Sequence, residues 1–235
     1  MKINPMTAVE SPKTVKPDTE YLIDDHVRKV IAAASGNQYE TLYWLALHAG
    51  MRWGELAGLL WKDVDLDKGV IHVRRAQQEI YDPTAPKGKR HRIELGPPKS
   101  KAGRRSIRLG ESMAAMMRLH CGNTTPLPAV RVFTTMNGQP LRKSNFGRRE
   151  WKPLLKAAGV PDYQFKSLRH TMATMALTHG VHGKTVQERL GHSSIVLTLD
   201  TYSSVIPEVA QEAAAVLESA LQTGTNPGTN ASEQQ

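Results

Sequence analysis

The chain is poor in the residues that staple small proteins or anchor them in lipid. It has a single cysteine, Cys121, in 235 residues, which excludes an internal disulfide and a thiolate zinc cluster. No apolar run approaches a membrane span. The stretch between Glu40 and Arg52 carries Thr41, Tyr43, Trp44 and His48 and is too short and too polar. Residues 1–16 lack the apolar core of a signal peptide. Acidic residues are scarce where basic ones gather. Between Lys87 and Arg108 there are nine Lys/Arg and one acid, Glu94, a surplus of eight against +9 for the whole chain. Beyond Ile206 there is no Lys or Arg and there are four Glu. This asymmetry points to a polyanionic partner met by one basic segment, with a separate neutral-to-acidic end. Charge alone leaves nucleic acid, an acidic protein and an anionic membrane open.

With 40% hydrophobic residues the chain can bury a sizeable core. Residues 1–18, rich in Pro, Lys and Thr, read as a linker-like arm. Helical periodicity predicts helices over 19–34, 38–48 and 53–60, the first two ended by Gly36 and Gly50. Strands are expected at 69–73, 91–95 and 104–109, forming one small antiparallel sheet of about three strands whose turn is the basic run. Helices resume at 111–120, 145–158 (capped by Ser144), 167–179 (capped by Ser167), 184–190 and 207–221. Residues 223–235 read as a disordered tail. The class is mainly α with a small antiparallel β-sheet (α+β). The central unit spans 19–222.

Four stretches carry chemistry together. Arg52 stands between the helix-ending Gly50 and a new helix, with Glu55 three residues on to hold its guanidinium. Lys99 and Lys101 lie in the basic turn. Arg169 falls in the first turn of a helix, against the helix dipole, so it needs an anion nearby; Lys166 precedes it and would share that anion. His192 follows a helix-ending Gly191, and Tyr202 lies ten residues further on. Each alone has an ordinary structural explanation. Jointly they describe phosphodiester chemistry. Two arginines neutralise the non-bridging oxygens, a histidine adds a hydrogen bond or moves a proton, a lysine protonates the leaving oxygen, and a tyrosine attacks phosphorus. Such a site calls for no metal or other cofactor, because the arginines supply the charge.

These motifs, G-M-R-W-G-E-L at 50–56, P-K-S-K-A-G-R-R at 98–105, S-L-R-H-T at 167–171 and L-G-H-S-S-I followed by L-D-T-Y at 190–202, resemble the catalytic domain of tyrosine recombinases, the phage-type integrases. The resemblance covers nearly all of 19–210. It implies that Arg52 and Arg169 are the two catalytic arginines, with Glu55 as acidic companion and His170 as a supporting residue. Lys99 is the hairpin general acid, ahead of Lys101. His192 is the histidine of the L-G-H turn, and Tyr202 is the nucleophile. Where the family usually has histidine, three residues before the second arginine, this chain has Lys166. It can donate to phosphate but cannot act as a base while protonated.

The resemblance further implies double-stranded DNA as substrate, contacted by Lys87, Lys89, Arg90, Arg92, Lys101, Arg104, Arg105 and Arg108. It implies partner protomers in a tetrameric synapse, reached through the C-terminal segment, a monomer when free, no membrane partner, and a bacterial cytoplasmic location. The chain reads as starting at a domain boundary, without the helical domain that would help encircle DNA. Two other readings stay open: a catalytically silent DNA-binding regulator, and a type IB topoisomerase-like enzyme that relaxes DNA without site choice.

Overall fold

The computed structural model describes residues 20–86, 88, 90–122, 126–201, 218 and 221. The arm, the tail, Tyr202, Lys87, Lys89 and all of the 207–221 helix except Glu218 and Leu221 therefore lie outside the described residues. The architecture is mainly helical with two small antiparallel sheets. Among the described residues no helix is long and apolar enough to cross a membrane.

The chain enters through α1 (Asp24–Ala34), which starts later than periodicity alone suggests. The preceding residues are extended because the Leu22 N–H donates to Thr171 Oγ1 at 2.8 Å. Helix α2 (Glu40–Ala49) buries residues around most of its circumference, including Leu42, Tyr43, Leu45, Ala46 and Ala49, so it runs through the core rather than over it. It ends at Gly50 with φ 58°, the left-handed conformation that closes a helix at least cost with glycine.

Helix α3 (Trp53–Ala57) is shorter than expected because it lies backbone to backbone on a strand. A Cβ on Gly54 would sit 2.7 Å from the Gln77 carbonyl oxygen, and one on Gly58 would sit 2.6 Å from the Gln77 nitrogen.

The sheets correct the sequence reading. Strands β1 (Val64–Asp65), β2 (Val70–Val73) and β5 (Arg105–Arg108) form one sheet in the order β1-β2-β5. Its register pairs Ile71 with Ile107 and Val73 with Arg105. Strands β3 (Ala76–Tyr81) and β4 (His91–Gly96) form a separate two-stranded sheet. The two strands flanking the basic turn therefore do not pair with each other. The missed partner is β3, whose Gln77, Gln78 and Glu79 hide it from a hydrophobicity pattern. Gln77 is buried because Gly54 and Gly58 rest on it and its side chain donates to the Leu141 carbonyl at 2.6 Å.

Helix α4 (Glu111–Cys121) packs on α2. The run from Lys143 to Ala158 comprises α5 (Lys143–Phe146), a π-turn over Gly147–Trp151, and α6 (Lys152–Ala158). Helices α7 (Ser167–Thr178), α8 (Gly183–Leu190) and α9 (Ile195–Thr201) follow. Neither expected serine cap forms. The α5 N-terminus is satisfied across space, by Glu79 Oε1 accepting from the Lys143 N–H at 2.6 Å. Ser167 is already helical and turns its hydroxyl to Glu20 Oε2 at 3.3 Å.

Because the atoms a Gly58 side chain would meet are backbone, Gly58→Ala is expected to lower stability by about 1–3 kcal/mol. Urea unfolding measures this; a wild-type midpoint would show that α3 and β3 do not touch as described.

Candidate active site

The site is assembled from helix ends. Arg52 has extended backbone (φ −70°, ψ 153°) and caps α3. Glu55 reaches back to it, its Oε2 accepting from the Arg52 N–H at 2.9 Å and its Oε1 from Arg52 Nη1 at 3.0 Å. The same carboxylate takes Arg105 Nη2 at 2.9 Å and Nη1 at 3.2 Å. Glu55 is 2% exposed and Arg105 7%, whereas the Arg52 side chain is 38% exposed. Burial opposes ionisation of Glu55, but the Arg105 hydrogen bond and charge and those of Arg52 outweigh it, and its carboxyl titrates below its ordinary value. One carboxylate thus faces two guanidiniums, and the surplus positive charge points outward through Arg52.

Arg105, expected as a DNA contact, is turned inward in this structure. Its guanidinium is buried, held by Glu55, by the Arg189 carbonyl (Nε, 2.6 Å) and by the Gly103 carbonyl (3.0 Å).

Arg169 finds carbonyl acceptors at two helix ends. It is buried in α7, with Nη1 on the Gly50 carbonyl at 2.5 Å and Nη2 on the Leu190 carbonyl at 2.7 Å. These are orphan acceptors at the C-termini of α2 and α8, where the helix dipole is negative. Arg189 adds two bonds to the His48 carbonyl, at 3.1 and 2.8 Å. Arg52 Nη2 reaches the Gly191 carbonyl at 3.4 Å. The carbonyls of 189, 190 and 191 therefore each face a different arginine: Arg105, Arg169 and Arg52.

Gly191 has φ 66°, and a Cβ there would stand 2.7 Å from the Ala102 carbonyl oxygen. The lysine-bearing segment is thereby seated on the L-G-H turn. That segment is no hairpin tip, since it links β4 to β5. Lys99 and Lys101 are exposed, and Lys99 makes no hydrogen bond or ion pair among the described residues. Lys99 is not among the residues lining the cleft of Arg52 and Arg169.

His192 follows Gly191, its Nδ1 2.9 Å from Thr198 Oγ1 in α9 and its carbonyl accepting from Gln187 Nε2 at 2.9 Å. Burial, then the charges of Arg169 and Arg52, then His170 and Arg105, push its pKa down to about 4. His170 is pushed to about 4 by burial, Arg169 and Lys166. Both imidazoles are neutral near pH 7. Tyr202 lies just beyond α9, outside the described residues.

Arg52, Lys166 and Arg169 line a cleft of about 1080 Å³ together with Trp53 and Phe165. Its wall also holds Lys143, Arg148 and Lys152, which sequence reasoning missed because their spacing does not fall on one face of a regular helix. His192 opens instead onto an adjoining groove of about 460 Å³, beside Arg104 and Arg108. Arg90, Arg92, Lys101, Arg104 and Arg108 are exposed, Arg92 pairing with Glu94 at 2.8 Å. Among the described residues no three His, Cys, Asp or Glu side chains group as metal ligands would.

Residues 20–208 match the phage integrase family. The chain is 31% identical over 206 residues to a tyrosine recombinase XerC-like protein of Caldanaerobacter subterraneus subsp. tengcongensis, covering 83% of this chain and 52% of that one. It is 28% identical over 207 residues to the prophage integrase IntR of Escherichia coli K12, covering 78% and 47%. The chain spans about half the length of these curated relatives. In fold it is similar to the Tn1549 transposon integrase, solved in complex with transposon right end DNA (TM-score 0.65, 23% identity, 84% of this chain and 65% of that one). It is likewise similar to XerA recombinase (TM-score 0.60, 25% identity, 84% and 66%).

The depressed histidines predict an acid-side loss of stability. The unfolded chain binds protons on these groups near pH 6.5, the folded one only near 4. Stability should be level above about pH 6.5 and fall as pH drops toward 4, with the Glu55 contribution lost only below that carboxyl's ordinary range. Denaturant unfolding between pH 7.5 and 4 tests this, and the double variant His170→Gln/His192→Gln should flatten the slope. A wild-type profile flat down to pH 4.5 would contradict it.

Proposed function

The chain belongs to the phage integrase family, and from that premise we propose that it is the catalytic domain of a site-specific DNA recombinase. It cleaves and rejoins duplex DNA through a 3′-phosphotyrosine on Tyr202. The observation that carries this reading is the meeting of Arg52, Arg169 and the His192 turn on one set of helix ends, beside a cleft walled by further cations.

The scissile phosphate sits over Arg52 and Arg169, whose fixed positive charge stabilises the extra negative charge of the pentacoordinate transition state. The guanidiniums are held before substrate arrives, by Glu55 and by carbonyls, so little reorganisation is needed. The Tyr202 oxygen attacks phosphorus, forming the Oη–P bond as the P–O5′ bond breaks. Lys99 gives its proton to the departing O5′ once DNA draws its side chain in. The proton lost by Tyr202 passes to neutral His192, to water or to the DNA. The 5′-hydroxyl of the same or a partner strand then attacks the phosphotyrosine and reverses the step. Lys166 donates to a phosphate oxygen and takes no proton. His170 supports Arg169 from the same helical turn.

On this reading the partners are duplex DNA and further protomers in a tetrameric synapse, joined through the C-terminal segment. The free protein is a monomer. It acts on DNA in the bacterial cytoplasm, moving a phage or other mobile element.

A duplex carrying a cleavage-trapping nick should yield a covalent protein–DNA band that Tyr202→Phe abolishes. Arg52→Ala and Arg169→Ala should each slow its formation by ~10² or more. An undiminished band in Tyr202→Phe would overturn the assignment.

A further inference from the structure

The π-turn at Gly147–Trp151 has a cause in the sequence and a consequence at the cleft. Phe146 and Trp151 are both buried, and both pack on the same two rings. Phe146 lies 5.9 Å from Tyr43 and 5.6 Å from Phe165, and Trp151 lies 5.7 Å and 5.4 Å from them, by ring centroids. The Trp151 indole N–H also donates to the Tyr163 carbonyl at 2.7 Å. Residues five apart on a regular helix point about 140° away from each other, so these two could not share their neighbours there. An i→i+5 turn takes up one extra residue and brings them to one side. Pro153 favours the same departure, because it lacks an N–H and crowds the carbonyl four residues back.

The same winding acts on the side chains beside the aromatic pair. Measured from Lys143 on a regular helix, Arg148 would lie about 140° and Lys152 about 180° around the axis. With one residue absorbed, Lys152 returns to about 80° and Arg148 moves toward it. All three line the cleft with Arg52, Lys166 and Arg169. Gly147 itself has ordinary helical φ −55° and ψ −45°, and a Cβ on it would meet nothing within 4 Å. No special demand for glycine explains the turn.

We infer that Phe146 and Trp151, by their five-residue spacing, are positioning residues for DNA: the turn they impose places Lys143, Arg148 and Lys152 on the cleft wall as contacts for the phosphate backbone. This rests on the reading of the cleft as a DNA site. The exposed Lys152–Asp162 pair, 2.6 Å apart, is weak enough to yield to a phosphate.

Changing the length of the helix separates the register from the residues. Deleting Gly147 leaves Phe146 and Trp151 four apart, and Lys143 four from Arg148 and eight from Lys152. On a continuous α-helix each of these sets still shares a face. Inserting one alanine after Gly147 puts the rings six apart and drives them to different sides. The readouts are the hydrogen-bonded Trp151 indole N–H resonance and the slope of log K against log salt for duplex DNA. The deletion should keep both at wild-type values. The insertion should lose the indole signature and flatten the slope. The double variant Arg148→Ala/Lys152→Ala sets the scale, with a slope lower by about 1.8 for two phosphate contacts. A deletion variant that unfolds, or that folds with the flattened slope, would overturn the inference. A double variant with the wild-type slope would show that this helix does not meet DNA. A wild-type chain without salt-dependent duplex binding would instead remove the functional reading beneath it.

Discussion

Everything at this site depends on guanidiniums bonded to the carbonyl ends of two helices. Arg169 bridges the C-terminus of α2 and that of α8 through Gly50 and Leu190, and Arg189 ties α8 back to His48 of α2. A helix end presents unpaired carbonyls with partial negative charge. A buried arginine needs acceptors for a planar fork of donors. Each solves the other's problem. The two motifs that carry Arg52 and His192, about 140 residues apart in sequence, are thereby fixed side by side.

The sharing of Glu55 has an electrostatic result. Glu55 is the carboxylate shared by Arg52 and Arg105, so among the described residues the cations of the site outnumber it. The same charge, with burial, holds His170 and His192 neutral. A phosphodiester would enter a site already short of negative charge, and its arrival would ease protonation of His192 as the reaction demands. The arrangement favours phosphoryl chemistry because its cations are held by groups that do not cancel them.

The parts of this design that are local in sequence could be read from it. Gly50 and Gly191 end helices, and Arg52 and Glu55, three apart, meet across one turn. Arg169 was legible as a cation in the wrong place on its helix, though the sequence did not show that the Gly50 and Leu190 carbonyls would accept from it. Long-range satisfaction was not legible. Glu79 from β3 displaces Ser144 as the cap of α5, and β3 is polar because a glycine-lined helix, not a core, lies on it. Arg105 reads as one more charge in a basic run, and only its pairing with Glu55 removes it from the surface. Lys143, Arg148 and Lys152 were hidden by an assumed period of 3.6, which the aromatic core does not allow there.

On the proposed function, Arg169 clasps the helix ends and binds the phosphate with the same guanidinium. Arg169→Lys tests it most directly, because it keeps the charge and loses the planar fork. Unfolding and covalent DNA capture should be measured on the same preparation. A joint loss is expected: stability lower by about 2–4 kcal/mol, as two buried carbonyls lose their donors, and capture slowed by ~10² or more. Wild-type stability in that variant would contradict the clasp, and the site would then need another explanation for how its arginines are held.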